Sequence, residues 1–191
     1  MLSLASDKKL LIIEYILSNN TFTQYKIKKE LNLGMYIVNT TVNFLLEKEV
    51  IEQKDKKYVL LDAESLLELV AFFKNMKEYK IAEIETSLSK KEIEKYIPKD
   101  AVYCMDSALE QYTNYYKTNK VCIYASEEQA KKLKDKLKLN PGNKTVVQIY
   151  KTGIINVVEI KGLKYTTKIK TIIDMYCDKR GNSVETLLKK L

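Results

Sequence analysis

The sequence predicts a mixed α/β chain, α+β overall, with an N-terminal helical segment closed by a hairpin, a helical connector and a small C-terminal α/β part. Three observations carry this expectation. Apolar residues recur at three- and four-residue spacing through the first fifty positions. Two short β-prone runs then flank a lysine-tipped turn. From residue 101, apolar runs of strand length alternate with helical patterns opened by capping signals. The expected boundaries are 1–61, 62–100 and 101–191.

From Asp7, the residues Leu10, Leu11, Ile13, Tyr15, Ile16 and Leu17 form one wide apolar helical face, stopped by Ser18, Asn19 and Asn20. Thr23 is a candidate N-cap for a shorter helix with Tyr25, Ile27 and Leu31 on one face. Asn32, Leu33 and Gly34 break it, because Asn and Gly tolerate a left-handed backbone. A third helix begins near Met35, with Val38, Val42, Leu45 and Leu46 at helical spacing. Strands at 50–53 and 57–61 flank the polar tip of Lys54, Asp55 and Lys56.

This order of three helices and a hairpin resembles a winged helix-turn-helix domain over about residues 7–61. The resemblance rests on Ile27, Leu31, Leu33, Val38, Val42, Leu45 and Ile51, which stand where that domain keeps its core. It implies that the third helix, about 35–48, enters the major groove of double-stranded DNA and that the wing, 50–61, lies on the backbone. The groove-facing candidates are Met35, Tyr36, Asn39, Thr40 and Asn43. Asn can pair bidentately with adenine, Thr can offer a hydroxyl or methyl, and Tyr can reach a phosphate. Lys54, Lys56 and Lys57 on the wing would hold phosphates. The competing account is a solvated polar face on an interaction-only domain.

In the connector, Asp62 can cap a helix carrying Leu66, Leu67, Leu69, Val70, Phe72 and Phe73. A further helical stretch is expected through Ile81, Ile84 and Leu88, and Ser89 with Glu92 has the form of a capping box for another, ended by Pro98. These helices fit dimerisation or packing onto the chain's own second half. After residue 101 the pattern is a short extended run at 101–104, a helix opened by Ser107 and Glu110 and running through Tyr116, a strand at 121–124, and a helix from Ser126 to about Lys138. A loop at 140–143 precedes two strands, 145–150 and 155–160, expected to form a hairpin around Gly153. A helix over 168–177, a stop at Gly181 and a final helix capped by Ser183 complete the chain.

Several short runs in this half resemble the AbiEi-type antitoxin and transcriptional-regulator family. They are Met105-Asp106-Ser107-Ala108-Leu109 at a helix start, the strand 121–124, the run Val157 to Gly162, Tyr165-Thr166-Thr167, and Lys170-Thr171-Ile172-Ile173-Asp174. Where the family carries arginine before the threonine, Lys170 stands here. The resemblance implies a DNA-binding repressor, an autoregulating antitoxin, and a nucleotidyltransferase toxin as protein partner. A homodimer is a further candidate assembly. From the residues alone, Asp174 one turn after Lys170 reads as a helix-supporting i, i+4 pair.

Composition narrows the chemistry. The 191 residues contain no histidine, which excludes Ser-His-Asp and Cys-His dyads, HExxH zinc enzymes and Cys2His2 fingers. The five glycines are isolated and form no phosphate loop, so no cofactor is expected, and no metal. Cys104, Cys122 and Cys177 lack metal or redox spacing and read as reduced core residues. No apolar run approaches the ~20 residues of a transmembrane helix, and the N-terminus lacks the form of a signal peptide. A cytoplasmic, membrane-free protein is expected.

One enzymatic pattern stands against the expectation of no enzyme. Glu159-Ile160-Lys161 has the form of the ExK half of a Mg²⁺-dependent nuclease site, in which a carboxylate pair holds the metal and lysine steadies water. The strand at 145–150 supplies no acid for the other half. Charge points elsewhere: segments 1–61 and 62–100 carry net +2 and −2, and 101–191 carries +8. Lys131, Lys132, Lys134, Lys136 and Lys138, with Lys161, Lys164, Lys168 and Lys170, form a candidate secondary basic face for nucleic acid or an acidic partner. Arg180 is the single arginine among 33 basic residues, which favours diffuse phosphate or carboxylate contact over planar readout.

Overall fold

The computed structural model describes residues 3–191. It divides the chain into two units, Met1–Asn75 with Tyr176–Leu191, and Met76–Met175. The expected boundaries at 61 and 100 differ from this division. The helix after Asp62 belongs with the first unit, and the segment from Met76 belongs with the second because it supplies that unit with a strand.

In the first unit, α1 (Asp7–Ser18) buries Leu10, Ile12, Ile13, Tyr15, Ile16 and Leu17. Asn19 ends it, its side chain donating to the Tyr15 carbonyl at 2.9 Å. A two-residue strand, β1 (Thr21–Phe22), precedes α2 (Gln24–Leu31). Thr23 caps α2 by accepting from the Lys26 N–H at 3.2 Å. Asn32 closes it in the left-handed region at φ 49° and ψ 45°. Helix α3 (Met35–Glu47) follows Gly34 and buries Val38, Thr41, Val42 and Leu45. Strands β2 (Ile51–Lys54) and β3 (Lys57–Leu60) then form an antiparallel sheet with β1, in the order β1-β3-β2. Asp62 caps α4 (Ala63–Phe73), its carboxylate accepting from the Glu64 and Ser65 N–H groups at 3.0 and 3.1 Å.

The second unit opens with α5 (Met76–Tyr79) and β4 (Lys80–Thr86). It continues through α6 (Lys90–Glu94), β5 (Val102–Tyr103), α7 (Met105–Tyr112), β6 (Lys120–Ala125) and α8 (Glu127–Leu137). Strand β7 (Thr145–Lys151), the hairpin β8 (Val157–Ile160) and β9 (Leu163–Thr166), and α9 (Lys168–Cys177), whose last two residues count with the first unit, follow. A 3₁₀ turn (Gly181–Val184) and α10 (Glu185–Leu188) return to the first unit. The six strands form one mixed sheet in the order β4-β7-β6-β5-β9-β8. Side chains alternate across it. Ile84, Val121, Ile123, Val147 and Ile149 lie in an apolar core with Ile93, Ala130, Leu133 and Leu137. The alternate residues Cys122, Tyr124, Gln148 and Tyr150 are also buried but have polar partners: Asp106 of α7 for Cys122, Asp174 of α9 for Tyr124, and Gln148 for the Tyr150 hydroxyl.

The chain is therefore mixed α/β, with one six-stranded mixed sheet and one three-stranded antiparallel sheet. Four local expectations are corrected. The stretch through Ile81, Ile84 and Leu88 is not helical. Residues 80–86 form β4, which pairs with β7, so Ile84 is buried and Ile81 is 37% exposed. Ser107 does not cap α7. The helix is capped three residues earlier, at Cys104, and the Ser107 hydroxyl accepts from the Cys122 N–H at 2.8 Å. The strands near 145–150 and 155–160 do not pair with each other. β7 lies parallel to β6, and β8 turns onto β9 through Lys161 and Gly162, whose φ values of 53° and 79° suit a two-residue hairpin. Ser183 lies inside the 3₁₀ turn instead of capping α10. Among the described residues, no helix is long and apolar enough to cross a membrane.

Candidate nucleic-acid interface

The outward face of α3 begins with its turn. The left-handed Asn32 lets the Leu33 N–H reach back to the Lys28 carbonyl at 3.1 Å, and Gly34 then starts α3 in an extended conformation. On α3, Met35, Tyr36, Asn39, Thr40 and Asn43 fall within about 140° of arc, opposite buried Val38, Val42 and Leu45. The structure thus brings all five candidates onto one face. Tyr36 is 83% exposed and Met35 38%. Asn43 is exposed, while Asn39 is half-buried and its Oδ1 has no hydrogen-bond partner. That oxygen is shielded from solvent, so the Asn39 amide would have to turn outward to meet a base edge.

Thr40 turns its hydroxyl proton to its own helix. Its hydroxyl lies 2.9 Å from the Tyr36 carbonyl and 3.2 Å from that of Ile37, so its proton serves the helix backbone. The methyl group and the oxygen lone pairs are what it can offer a ligand. Glu47, exposed in the last turn of α3, shares the same face and places a carboxylate among the neutral side chains.

Lys54, Lys56 and Lys57 are all exposed at the β2–β3 turn. Lys54 and Lys57 are cross-strand partners, and Asp55 turns the chain with φ 56°. The three differ in availability, since Lys54 is paired with Glu52 at 2.5 Å. Lys26, Lys28 and Lys29 were missed as candidates. They are exposed on α2, which leads into the turn before α3. Their signal was present in the sequence, as lysines between the apolar positions Ile27 and Leu31 of a capped helix. Nearby, burial and then the Glu30 charge push the Tyr15 phenol above its ordinary value, so it stays neutral.

The candidate secondary basic face separates into two sets. Lys131, Lys132, Lys134, Lys136 and Lys138 are exposed on or just after α8, which packs against β4 at one edge of the sheet. Lys132 is paired with Glu128 at 2.6 Å. Lys161 and Lys164 belong to the β8–β9 hairpin at the opposite edge, with Lys168 opening α9. Four strand spacings separate β4 from β9, about 19 Å. Lys170 leaves the set altogether. It is buried and ion-paired with Asp174. The second unit still carries most of the charge, 19 basic against 13 acidic residues, compared with 14 against 12 in the first.

Glu159 is exposed on edge strand β8 opposite Lys164, and Lys161 sits at the hairpin tip. Among the described residues, no three His, Cys, Asp or Glu side chains converge on a metal-sized site. Cys104, Cys122 and Cys177 are all buried thiols outside any disulfide. Burial, followed by the nearby Cys122 and Asp174, pushes the Cys104 thiol up, so it is held protonated and unreactive.

Sequence reasoning also missed the buried polar layer of the six-stranded sheet. Gln148 stands in register between Glu83 on β4 and Cys122 on β6. It donates to Glu83 at 2.9 Å, and its Oε1 receives the Tyr150 hydroxyl at 3.1 Å. Asp106 is fully buried, accepts from the Tyr116 hydroxyl and lies 3.4 Å from the Cys122 sulfur. No family model, curated protein or solved structure matches the chain.

Proposed function

We propose that the chain is a sequence-specific DNA-binding transcriptional regulator of repressor type. In this reading, helices α1 to α3 and the β2–β3 hairpin act as a winged helix-turn-helix. Helix α3 enters the major groove with Tyr36, Asn39 and Asn43 toward base edges, Met35 and the Thr40 methyl add apolar contact, and the wing lysines hold phosphates. The observation that carries the reading is the single polar face of α3. It combines an 83% exposed tyrosine, an exposed Asn43 and a half-buried Asn39, and it follows a left-handed turn at Asn32. The absence of arginine from this face disfavours guanine readout and favours adenine contacts.

The AbiEi-type resemblance extends the proposal to an autoregulating antitoxin acting with a partner toxin, as a monomer or homodimer. A different class is favoured by one observation, the Glu47 carboxylate on the same helix face. A phosphate-facing surface rarely benefits from such a charge, whereas a protein-binding face can use it. In that second reading the domain is a scaffold for an antitoxin or adaptor. A mobility-shift assay on duplex DNA upstream of the chain's own gene tests the choice. A shift at low salt that weakens as salt rises supports the regulator. No shift at low salt sinks it.

A further inference from the structure

A groove in the second unit holds a polar group that nothing in the fold uses. Tyr103, on the short strand β5, is 6% exposed, and its hydroxyl is sealed from solvent without a hydrogen-bond partner. Its ring stacks on that of Tyr165 from β9, with centroids 5.2 Å apart and planes at 26°. A buried polar atom without a partner is uncommon and calls for an occupant. Tyr103 lines two cavities, a small lobe of about 60 Å³ and a large lobe of about 420 Å³, which also share Glu94.

The lobes differ in charge. Glu94, Glu110 and Lys90 line the small one, where Lys90 donates to both Glu110 oxygens at 2.6 Å. That pair cancels and leaves Glu94 as the net charge. Lys99 and Lys164 line the large lobe against the same Glu94, leaving it net positive. Burial, then the Glu94 charge, push the Tyr103 phenol far up, and Tyr165 is raised by the same two causes, so both stay neutral hydroxyls. A phosphate or carboxylate in the small lobe would meet Glu94. An ammonium group would find a carboxylate, phenol oxygens able to accept, and the faces of aromatic rings.

We propose that this groove binds a small zwitterion of amino-acid size, with its ammonium group in the small lobe at Tyr103, Tyr165 and Glu94 and its anionic group in the large lobe at Lys99 and Lys164. Such a site would give the chain an effector. The inference is independent of the DNA reading, because no residue of the first unit takes part.

The test is calorimetric titration of the full chain with each of the twenty L-amino acids, adenosine monophosphate and inorganic phosphate at millimolar concentration. At least one amino acid binds saturably. Tyr103→Phe, which keeps the ring and its stacking, weakens that binding roughly tenfold or more, the scale of one charge-assisted hydrogen bond. Glu94→Gln, at an exposed rim position, does the same. Binding of no amino acid, binding of phosphate or the nucleotide alone, or equal binding by both variants would overturn the proposal. DNA binding measured on the same samples reports separately on the regulator reading.

Discussion

Lys170 and Asp174 stand one turn apart on α9 and form an ion pair with side-chain exposures of 2% and 0%. Tyr124 from β6 closes the group. Its hydroxyl donates to Asp174 Oδ2 at 2.9 Å and accepts from Lys170 Nζ at 3.2 Å, and the ammonium lies 5.1 Å from the ring centroid. Every charge here is met by an opposite charge or a dipole, which is the condition for keeping ions in a low-dielectric interior. Removing one partner breaks that condition. Lys170→Met is expected to destabilise the chain by about 3–5 kcal/mol. Lys170→Met with Asp174→Leu should cost less than Lys170→Met alone. Urea unfolding followed by tyrosine fluorescence checks this, and a double variant as unstable as the sum of its singles would contradict it.

Asp62 supports a pH prediction. Its carboxyl is held below the usual aspartate range, first by the Ser65 hydroxyl and also by the Glu64 and Ser65 N–H groups, against the opposing effect of burial. A lowered folded-state value means that the cap's contribution is present at neutral pH and is lost as pH falls through that lowered value. Asp62→Ala should therefore cost about 1 kcal/mol at neutral pH. The difference between wild type and variant should shrink below the ordinary aspartate range, as thermal melts across acid pH would show.

Gly142 supports a packing prediction. Its φ is 155°, and a Cβ there would come within 2.8 Å of Ser87 Cβ and 3.0 Å of the Ser87 backbone. The same junction is tied by the Ser87 N–H to the Asn140 carbonyl at 3.0 Å, so it cannot easily yield. Gly142→Ala should destabilise by about 1–3 kcal/mol, as overpacking does. Gly162→Ala tests the contrast, because a Cβ there meets nothing within 4 Å and only the positive φ opposes it. Equal melting temperatures for wild type and Gly142→Ala would contradict the packing account.

The wing lysines yield a salt prediction. If Lys56 and Lys57 each neutralise a phosphate, replacing both by alanine should flatten the slope of log affinity against log salt by about 0.9 per lysine. Lys54→Ala should change the slope less, since its ammonium is already engaged by Glu52 at 2.5 Å. Fluorescence anisotropy over a salt series measures both.

The legible and illegible parts of the chain differ in how local their causes are. Helices α1 to α4 could be read because each apolar face and each cap, Thr23 and Asp62 among them, lies within a few residues of what it stabilises. β4 could not be. Ile81, Ile84 and Leu88 fit a helical spacing, and only pairing with β7, some 65 residues later, makes the segment extended. The Ser107 capping signal failed for the same reason, because its hydroxyl is taken by the distant Cys122 N–H. The basic face was legible as lysines but not as a surface, since strand order alone separates α8 from the β8–β9 hairpin and burial removes Lys170. The five α3 candidates follow from helical spacing, but the engagement of the Thr40 hydroxyl and the buried, unpartnered Asn39 oxygen arise only in the folded packing.

The central claim is that α3 reads base edges. The most direct measurement is the ratio of affinities for the upstream DNA and for an unrelated duplex of equal length, at one fixed salt concentration, for wild type and Asn39→Ala/Asn43→Ala. The account predicts a clear preference in wild type, reduced by about 1–3 kcal/mol for each bidentate base contact removed, with non-specific affinity little changed. An unchanged ratio in the double variant would contradict it.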